Sequence, residues 1–328
     1  MKSVIVGLGV IGNVHYNVLK NIGTPAVAVC DCDAEKISGL TDVECYTDYI
    51  KMLDSVKPDV VHICTPHYLH EQMIIDALER GVNVLCEKPL CISLDGIERI
   101  LSAEKNSKAI LGVCHQNRYN SENVFLKDYL KDKKVVSGYG TVVWHRDKEY
   151  YSKAEWRGKW NTEGGGVLIN QALHTFDLMQ WLVGFPDTVT ASISNLTLKG
   201  DIEVEETASV ICSGKAEFSF FATNGSSASF PVTVTIKTED ETISVLPGKV
   251  ITGSKVYEFK ENDKVLGKAC YGVGHEGLIQ DFYDCVKTGR KFAIDGKEAS
   301  KVIKLILASY ESKGEKIDVS SANTKRQK

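Results

Sequence analysis

The segment Gly7-Leu8-Gly9-Val10-Ile11-Gly12 constrains this chain more than any other, because it stands between an apolar run, Val4-Ile5-Val6, and a stretch patterned as a helix. Glycines at these spacings allow a tight turn and close backbone approach, so a phosphate group can rest on amides at the helix start. A second apolar run, Ala26–Cys30, ends at Asp31, the spacing at which such folds place an acid that accepts a ribose hydroxyl. Together they predict a dinucleotide site formed by Gly7, Gly9, Val10, Ile11, Gly12 and Asp31. The Asp31 carboxylate would repel the extra phosphate of NADP. No arginine lies nearby in the sequence and Lys36 is the nearest cation, so NAD is the expected cofactor and NADP is disfavoured. A glycine turn with a helix-capping aspartate would look the same in isolation; the flanking strand and helix argue against it.

From Met1 to Arg118 short β-branched runs alternate with longer amphipathic ones, the strand candidates being Val4–Val6, Ala26–Cys30, Val60–Cys64, Asn83–Cys86 and Ala109–Cys114. This is βαβ repetition, and it predicts a doubly wound parallel sheet. Beyond Arg118 the runs alternate with polar residues, as in Thr188–Ser194, Ala208–Cys212, Glu217–Ala222, Val232–Lys237 and Thr242–Leu246, which predicts an open, mostly antiparallel sheet. Helices are expected at Gly166–Leu182, Glu276–Lys287 and Lys297–Ser312, and a frayed polar tail at Ser320–Lys328. A chain of 328 residues exceeds the size of most single cores, so two domains are expected, residues 1–118 and 119–328, in the α/β class.

A formal net charge of −4 gives no footprint for nucleic acid. The N-terminus lacks the apolar core of an export signal, and polar residues interrupt every run long enough to span a membrane. The ten cysteines are scattered through strand-like segments without metal-ligand spacing; they read as reduced core residues of a cytoplasmic protein, and no metal site is expected.

Residues Asp59–Leu90 read DVVHICTPHYLHEQMIIDALERGVNVLCEKPL. This stretch resembles the glucose-fructose oxidoreductase, inositol dehydrogenase and rhizopine-catabolism (Gfo/Idh/MocA) family. The likeness extends through Thr65-Pro66, His70, Glu87-Lys88-Pro89, the triple glycine 164–166 with His174 and Asp177, and the stretch from His275 to Ser312. It implies an N-terminal Rossmann domain, a C-terminal substrate domain whose open sheet builds homo-oligomers, and hydride exchange between nicotinamide and a ring carbon of a sugar, inositol or related polyol. By the same resemblance Lys88 contacts the reacting oxygen, and Thr65, His70, Glu87, His115 and Gln116 line the cofactor, with Trp156 and Arg157 approaching the nicotinamide.

Alcohol oxidation needs a group to take the hydroxyl proton, and Lys88, placed between an apolar strand and a rigid proline, fits that need. His174 follows Asn170 by four residues, so in a helix beginning at the triple glycine the two would share a face and both meet substrate. The family commonly has aspartate where Asn170 stands. An amide brings no charge to an imidazolium, so Lys88 is favoured as the proton-transfer group, with Asn170 and His174 holding hydroxyls between the second-domain sheet and the nicotinamide. Asp177 would orient the histidine or anchor the helix. Tyr119, Trp144, His145, Arg146, Trp156 and Trp160 supply groups that suit a carbohydrate, though tryptophans in a sheet are more often core. His15, His62 and His67 read as structural or peripheral. Two other functions share the same residues: a redox-neutral glycosidase or lyase that oxidises its substrate transiently, and a non-catalytic NAD or sugar sensor.

Overall fold

The structure is a computed structural model that describes residues 1–259 and 272–321. Cys270 and most of the polar tail lie outside the described residues. The chain forms two compact units, the first of Met1–Cys91, Asp95–Tyr119 and Asn262–Ser300, the second of Ile92–Leu94, Asn120–Glu261 and Lys301–Lys328. Residues 272–300 therefore group with the N-terminal unit, which a single boundary at residue 118 does not provide.

In the first unit the strands are β1 (Ser3–Val6), β2 (Ala28–Cys30), β3 (Glu44–Tyr46), β4 (Val60–Ile63), β5 (Asn83–Cys86) and β6 (Leu111–Val113). They run parallel in the order β3-β2-β1-β4-β5-β6. Helices α1 (Val10–Asn21), α2 (Tyr49–Val56), α3 (His70–Glu79) and α4 (Leu94–Asn106) make the crossovers. Strands β1 and β4 are buried at every position, the mark of a sheet covered on both faces. Only the edge strand β3 escaped the sequence reading, because Glu44 and Cys45 are exposed and carry no apolar pattern. The order reverses between β1 and β4, and such switch points open a crevice at the carboxyl ends of the strands.

The second unit begins with α5 (Ser121–Tyr129), β7 (Val135–Val143), α6 (Lys148–Ser152) and α7 (Leu173–Val183). It continues through β8 (Thr188–Ser194), β9 (Thr207–Ser213), β10 (Glu217–Thr223), β11 (Thr233–Thr238), β12 (Thr242–Leu246), β13 (Lys249–Thr252) and β14 (Lys255–Glu258). After α8 (Gly274–Thr288), which belongs to the first unit, come α9 (Gly296–Ser312) and β15 (Ile317–Asp318). The sheet order is β14-β13-β12-β11-β7-β10-β9-β8-β15, and β7 with β10 is the parallel pair within an otherwise antiparallel arrangement. Burial alternates along β9 and β10, and the inward residues cover α7, whose Phe176 stacks on Phe220 with ring centroids 4.7 Å apart. Gly138 and Gly140 hide β7 from a pattern search, and their bare backbone lets α7 come close: a Cβ on Gly140 would meet Met179 Sδ at 3.0 Å.

The helix expected from Gly166 begins only at Leu173. Gly164 and Gly165 have φ of 85° and 147°, outside the helical region, and the buried Glu205 carboxylate accepts hydrogen bonds from the Gly166 and Leu168 amides at 2.8 and 3.0 Å. Residues 161–172 are accordingly a run of turns, and Asn170 precedes the helix that carries His174.

Candidate active site

The turn after β1 is shaped by contacts that exclude a side chain. Gly7 has φ of 90°, and a Cβ there would stand 2.6 Å from the Cys64 carbonyl oxygen; a Cβ on Gly12 would stand 1.8 Å from the Gly7 oxygen. Gly9, by contrast, faces open space, and α1 starts behind it with no side-chain cap and no acid in its first turn. The first amides of the helix, at Val10 and Ile11, are thus left for an anionic ligand, as the pyrophosphate of a dinucleotide requires. Asp31 at the end of β2 is buried and accepts from the Leu8 amide at 2.8 Å and the Asp33 amide at 3.0 Å, so the acid is tied to the glycine turn itself. Lys36 approaches Asp31 at 3.3 Å and Asp33 at 3.8 Å. The nearest cation is already shared by two carboxylates, which suits a ribose hydroxyl better than a phosphate.

Along the carboxyl ends of β4 and β5 the sequence-predicted residues come together. His70 reaches the Pro89 carbonyl through Nδ1 at 2.7 Å and the Thr65 carbonyl through Nε2 at 2.9 Å, which ties the two strand ends to each other. The backbone amide of Lys88 donates to Glu87 Oε2 at 3.2 Å, and the Lys88–Pro89 peptide is cis. His115 and Gln116 are buried just past β6. Glu87 is almost wholly buried; burial alone would raise its pKa, but hydrogen bonds and charge from His15 and His275 outweigh it and hold the carboxyl well below the usual range. His15 Nε2 lies 3.0 Å and His275 Nε2 3.5 Å from Glu87 Oε1. Ligand atoms of His15, Glu87 and His275 all fall within 4.8 Å of one another, a grouping the sequence did not suggest because α1, the residue after β5 and α8 contribute one each. Tyr119, whose ring suits a carbohydrate, donates its hydroxyl to Asp281 at 2.6 Å.

Trp156, Arg157, Asn170 and His174 belong to the second unit. Asn170 donates to Glu163 Oε1 at 2.5 Å, and Glu163 is fully buried and also takes the Gly158 amide. The Asn170 amide is therefore held by a carboxylate seven residues earlier, immediately before the triple glycine, where nothing but its adjacency to the motif could have flagged it. His174 occupies the first turn of α7 and Asp177, buried one turn on, accepts from Gln180 at 3.0 Å. Gln171 donates to the Tyr150 hydroxyl at 3.1 Å and accepts from Asn224 at 2.9 Å. The Tyr150 ring has the guanidinium of Arg157 at 4.4 Å and that of Arg146 at 5.0 Å. Tyr150, Gln171 and Asn224 were not anticipated, since they meet only when the loop after β7 folds against the end of β10. His145 is exposed and bonded to the Ser226 carbonyl, and Trp160 donates to the Glu203 carbonyl.

Comparison with known proteins identifies both halves of the chain. Residues 1–115 match a family described as an oxidoreductase family with an NAD-binding Rossmann fold, and residues 134–244 match the GFO/IDH/MocA C-terminal domain. Inositol 2-dehydrogenase of Salmonella typhimurium is 28% identical over 191 residues, 56% of this chain and 54% of the relative; D-glucoside 3-dehydrogenase of Escherichia coli is 27% identical over 57% and 55%. The chain thus matches about half the length of these curated relatives. The WlbA dehydrogenase of Bordetella pertussis, solved with NADH and UDP-GlcNAcA, superimposes with a TM-score of 0.83 at 27% identity, covering 97% of this chain and 98% of that one. With both halves matched, this chain belongs to the GFO/IDH/MocA family of NAD-binding oxidoreductases.

Proposed function

We propose that this protein is an NAD-dependent dehydrogenase or reductase that acts on a CH–OH carbon of a sugar, inositol or related polyol. The observation that carries the reading is the placement of Glu87-Lys88-Pro89 at the carboxyl end of β5, in the unit whose glycine turn and Asp31 suit a dinucleotide. NAD, when bound, accepts or returns the hydride. Lys88 takes or returns the hydroxyl proton. Thr65, His70, Glu87, His115 and Gln116 form the wall on the nicotinamide side. Asn170, its amide oriented by Glu163, and His174 hold neighbouring hydroxyls.

A specific observation favours a second reading of the substrate, a sugar carrying a carboxylate or a nucleotide diphosphate. Among the described residues no carboxylate lies within ion-pair distance of Arg146 or Arg157, although both crowd Tyr150. An anion on the substrate would supply the missing partner, and a relative of 27% identity was solved with UDP-GlcNAcA.

The test is near-ultraviolet NADH absorbance with excess NAD and a panel of free sugars, inositols, glycosides, uronic acids and nucleotide sugars. NADH in proportion to product from one class establishes the dehydrogenase and names its substrate. Consumption of a glycoside without NADH accumulation would replace it with the redox-neutral reading.

The same proposal includes a homo-oligomer formed through the open sheet, whose outer face carries the exposed side chains of Tyr139, Ile211 and Phe221. A cytoplasmic setting fits the cysteines, nine of them described and most of them buried in the core, and no helix among the described residues is long and apolar enough to cross a membrane.

A further inference from the structure

Around Glu87, the residue that follows β5, three other elements of the first unit each bring a metal-ligating side chain. His15 Nε2 of α1 lies 3.0 Å and His275 Nε2 of α8 lies 3.5 Å from Glu87 Oε1. Cys114, just past β6, sets its Sγ 3.9 Å from the same His15 nitrogen. All four residues are buried, His15 and Cys114 completely and Glu87 and His275 to within 5% and 3%. We propose that His15, Glu87, His275 and Cys114 form a structural site for one divalent cation of the zinc type, which ties α1 and α8 to the ends of β5 and β6.

Spacing is the first observation that carries this. A tetrahedral zinc ion stands about 2.1 Å from nitrogen or oxygen and about 2.3 Å from sulfur, so its ligand atoms are about 3.4 to 3.6 Å apart. The separations of 3.0, 3.5 and 3.9 Å bracket those values, and the ligand atoms of His15, Glu87 and His275 all lie within 4.8 Å of one another.

The second observation is the direction of the hydrogen bonds behind His15. The Tyr283 hydroxyl donates to Ser3 Oγ at 2.6 Å. With its one proton committed there, it accepts from His62 Nε2 at 2.9 Å. A neutral His62 with its proton on Nε2 offers a lone pair at Nδ1, so the proton between the two Nδ1 atoms, 2.7 Å apart, belongs to His15. The Nε2 lone pair of His15 then faces a carboxyl oxygen at 3.0 Å, a contact that requires a positive ion between the two atoms. That ion is a proton or a metal. A proton is shared by two atoms, whereas His275 Nε2 and Cys114 Sγ converge on the same place, and a metal uses all four. A metal-bound imidazole regularly gives its other N–H to a fixed acceptor, and His62, itself fixed by Tyr283, is that acceptor. This accounts for a fully buried histidine inside β4, where a parallel strand is expected to be apolar.

Two imidazoles, a carboxylate and a thiolate suit zinc, whereas magnesium and calcium take oxygen ligands. Four protein ligands close the coordination sphere, as in structural sites. Glu87 meets the ion through Oε1 while its Oε2 takes the Lys88 amide at 3.2 Å, so the same carboxylate would anchor the lysine segment. Binding displaces the proton between His15 and Glu87 and the thiol proton of Cys114. No ligand spacing announces the site in the sequence, because its members stand at positions 15, 87, 114 and 275.

The test is the metal content of the full chain, expressed in zinc-containing medium because a buried site fills as the chain folds, and freed of loosely held ions on a chelating resin. Plasma emission spectrometry is expected to find about one equivalent of zinc in the wild type and at least about tenfold less in His275→Ala. Protein from cobalt-grown cells should show the visible absorption of a tetrahedral ion and a thiolate-to-cobalt band that Cys114→Ser abolishes. Wild-type protein without metal would overturn the proposal and leave a proton shared by His15 and Glu87. So would zinc retained in His275→Ala, or a cobalt spectrum that Cys114→Ser leaves unchanged, since the ion would then sit elsewhere. Should His275→Ala fail to fold, the wild-type content and the Cys114→Ser spectrum still decide.

Discussion

Two glycine-rich turns, one in each unit, look alike in the sequence and end differently in the fold. Gly7–Gly12 leads straight into α1, whereas the triple glycine at 164–166 is followed by turns until Leu173. In the first case the close neighbours of the glycines are the Gly7 carbonyl and, from the next parallel strand, Cys64 and Thr65, and the helix behind them starts without a side-chain cap. In the second the neighbours are also remote in sequence, and one of them is a buried acid. A Cβ on Gly165 would stand 2.1 Å from the Tyr310 hydroxyl, and one on Gly166 would stand 1.9 Å from the Glu205 carbonyl oxygen. Glu205 then takes two amides with its carboxylate and receives the Tyr310 hydroxyl at 3.0 Å. A glycine motif reads correctly where the helix amides after it stay open, and misleads where a buried acid claims them.

The comparison can be broken at several points. The largest effect is expected from Gly12→Val, whose side chain would collide with the Gly7 carbonyl; overpacking there should cost more than about 3 kcal/mol, and NAD binding should be lost with it. Thermal melts with and without NAD check this, and retained binding would mean that the turn is not a close approach. Next, Lys88→Ala should lower kcat by about a hundredfold or more while NAD affinity, read by calorimetry, stays within a few-fold. Unchanged turnover would remove Lys88 from the chemistry.

In the second unit, Glu205→Ala would leave the Gly166 and Leu168 amides without their buried acceptor, at a cost of about 2 kcal/mol or more in denaturant unfolding. A neutral result would mean that the glycines alone set the turn. Asp31→Ser should narrow the preference for NAD over NADP by about tenfold, measured as a ratio of dissociation constants; an unaltered ratio would leave Asp31 as a cap for the turn and nothing more. The smallest effect concerns pH. Burial pushes the Glu205 carboxyl up to about 7, against the hydrogen bonds it receives. A folded-state value above the unfolded 4.5 means that this group's contribution to stability is complete below pH 4.5 and is lost as pH rises through 7. Glu205→Gln should flatten the stability profile across that window, and a profile parallel to the wild type would show that Glu205 is ionised throughout.

Much of the first unit was legible because its signals are periodic and local: continuous apolar runs for buried strands, glycines at a strand end, an acid at the next one. The Glu87-Lys88-Pro89 segment was legible through resemblance, and the structure sets it at the carboxyl end of β5. What escaped was set by contacts that no periodic pattern records. Glu163 takes the Asn170 amide within a turn that reads as helix in the sequence, Tyr283 meets His62 across 221 positions, and β7 is hidden by the glycines that admit α7.

The sequence by itself determined the alternation of buried strands and helices in the first unit, β3 apart, and the glycine turn with an acid at the next strand end, because these follow from the spacing of neighbouring residues. Tertiary structure alone decided where α7 begins, which carboxylate faces Asn170 and which histidines surround Glu87. Those outcomes depend on desolvation, which makes a buried acid find donors wherever the fold brings them, and no local pattern records from where in the chain they will come.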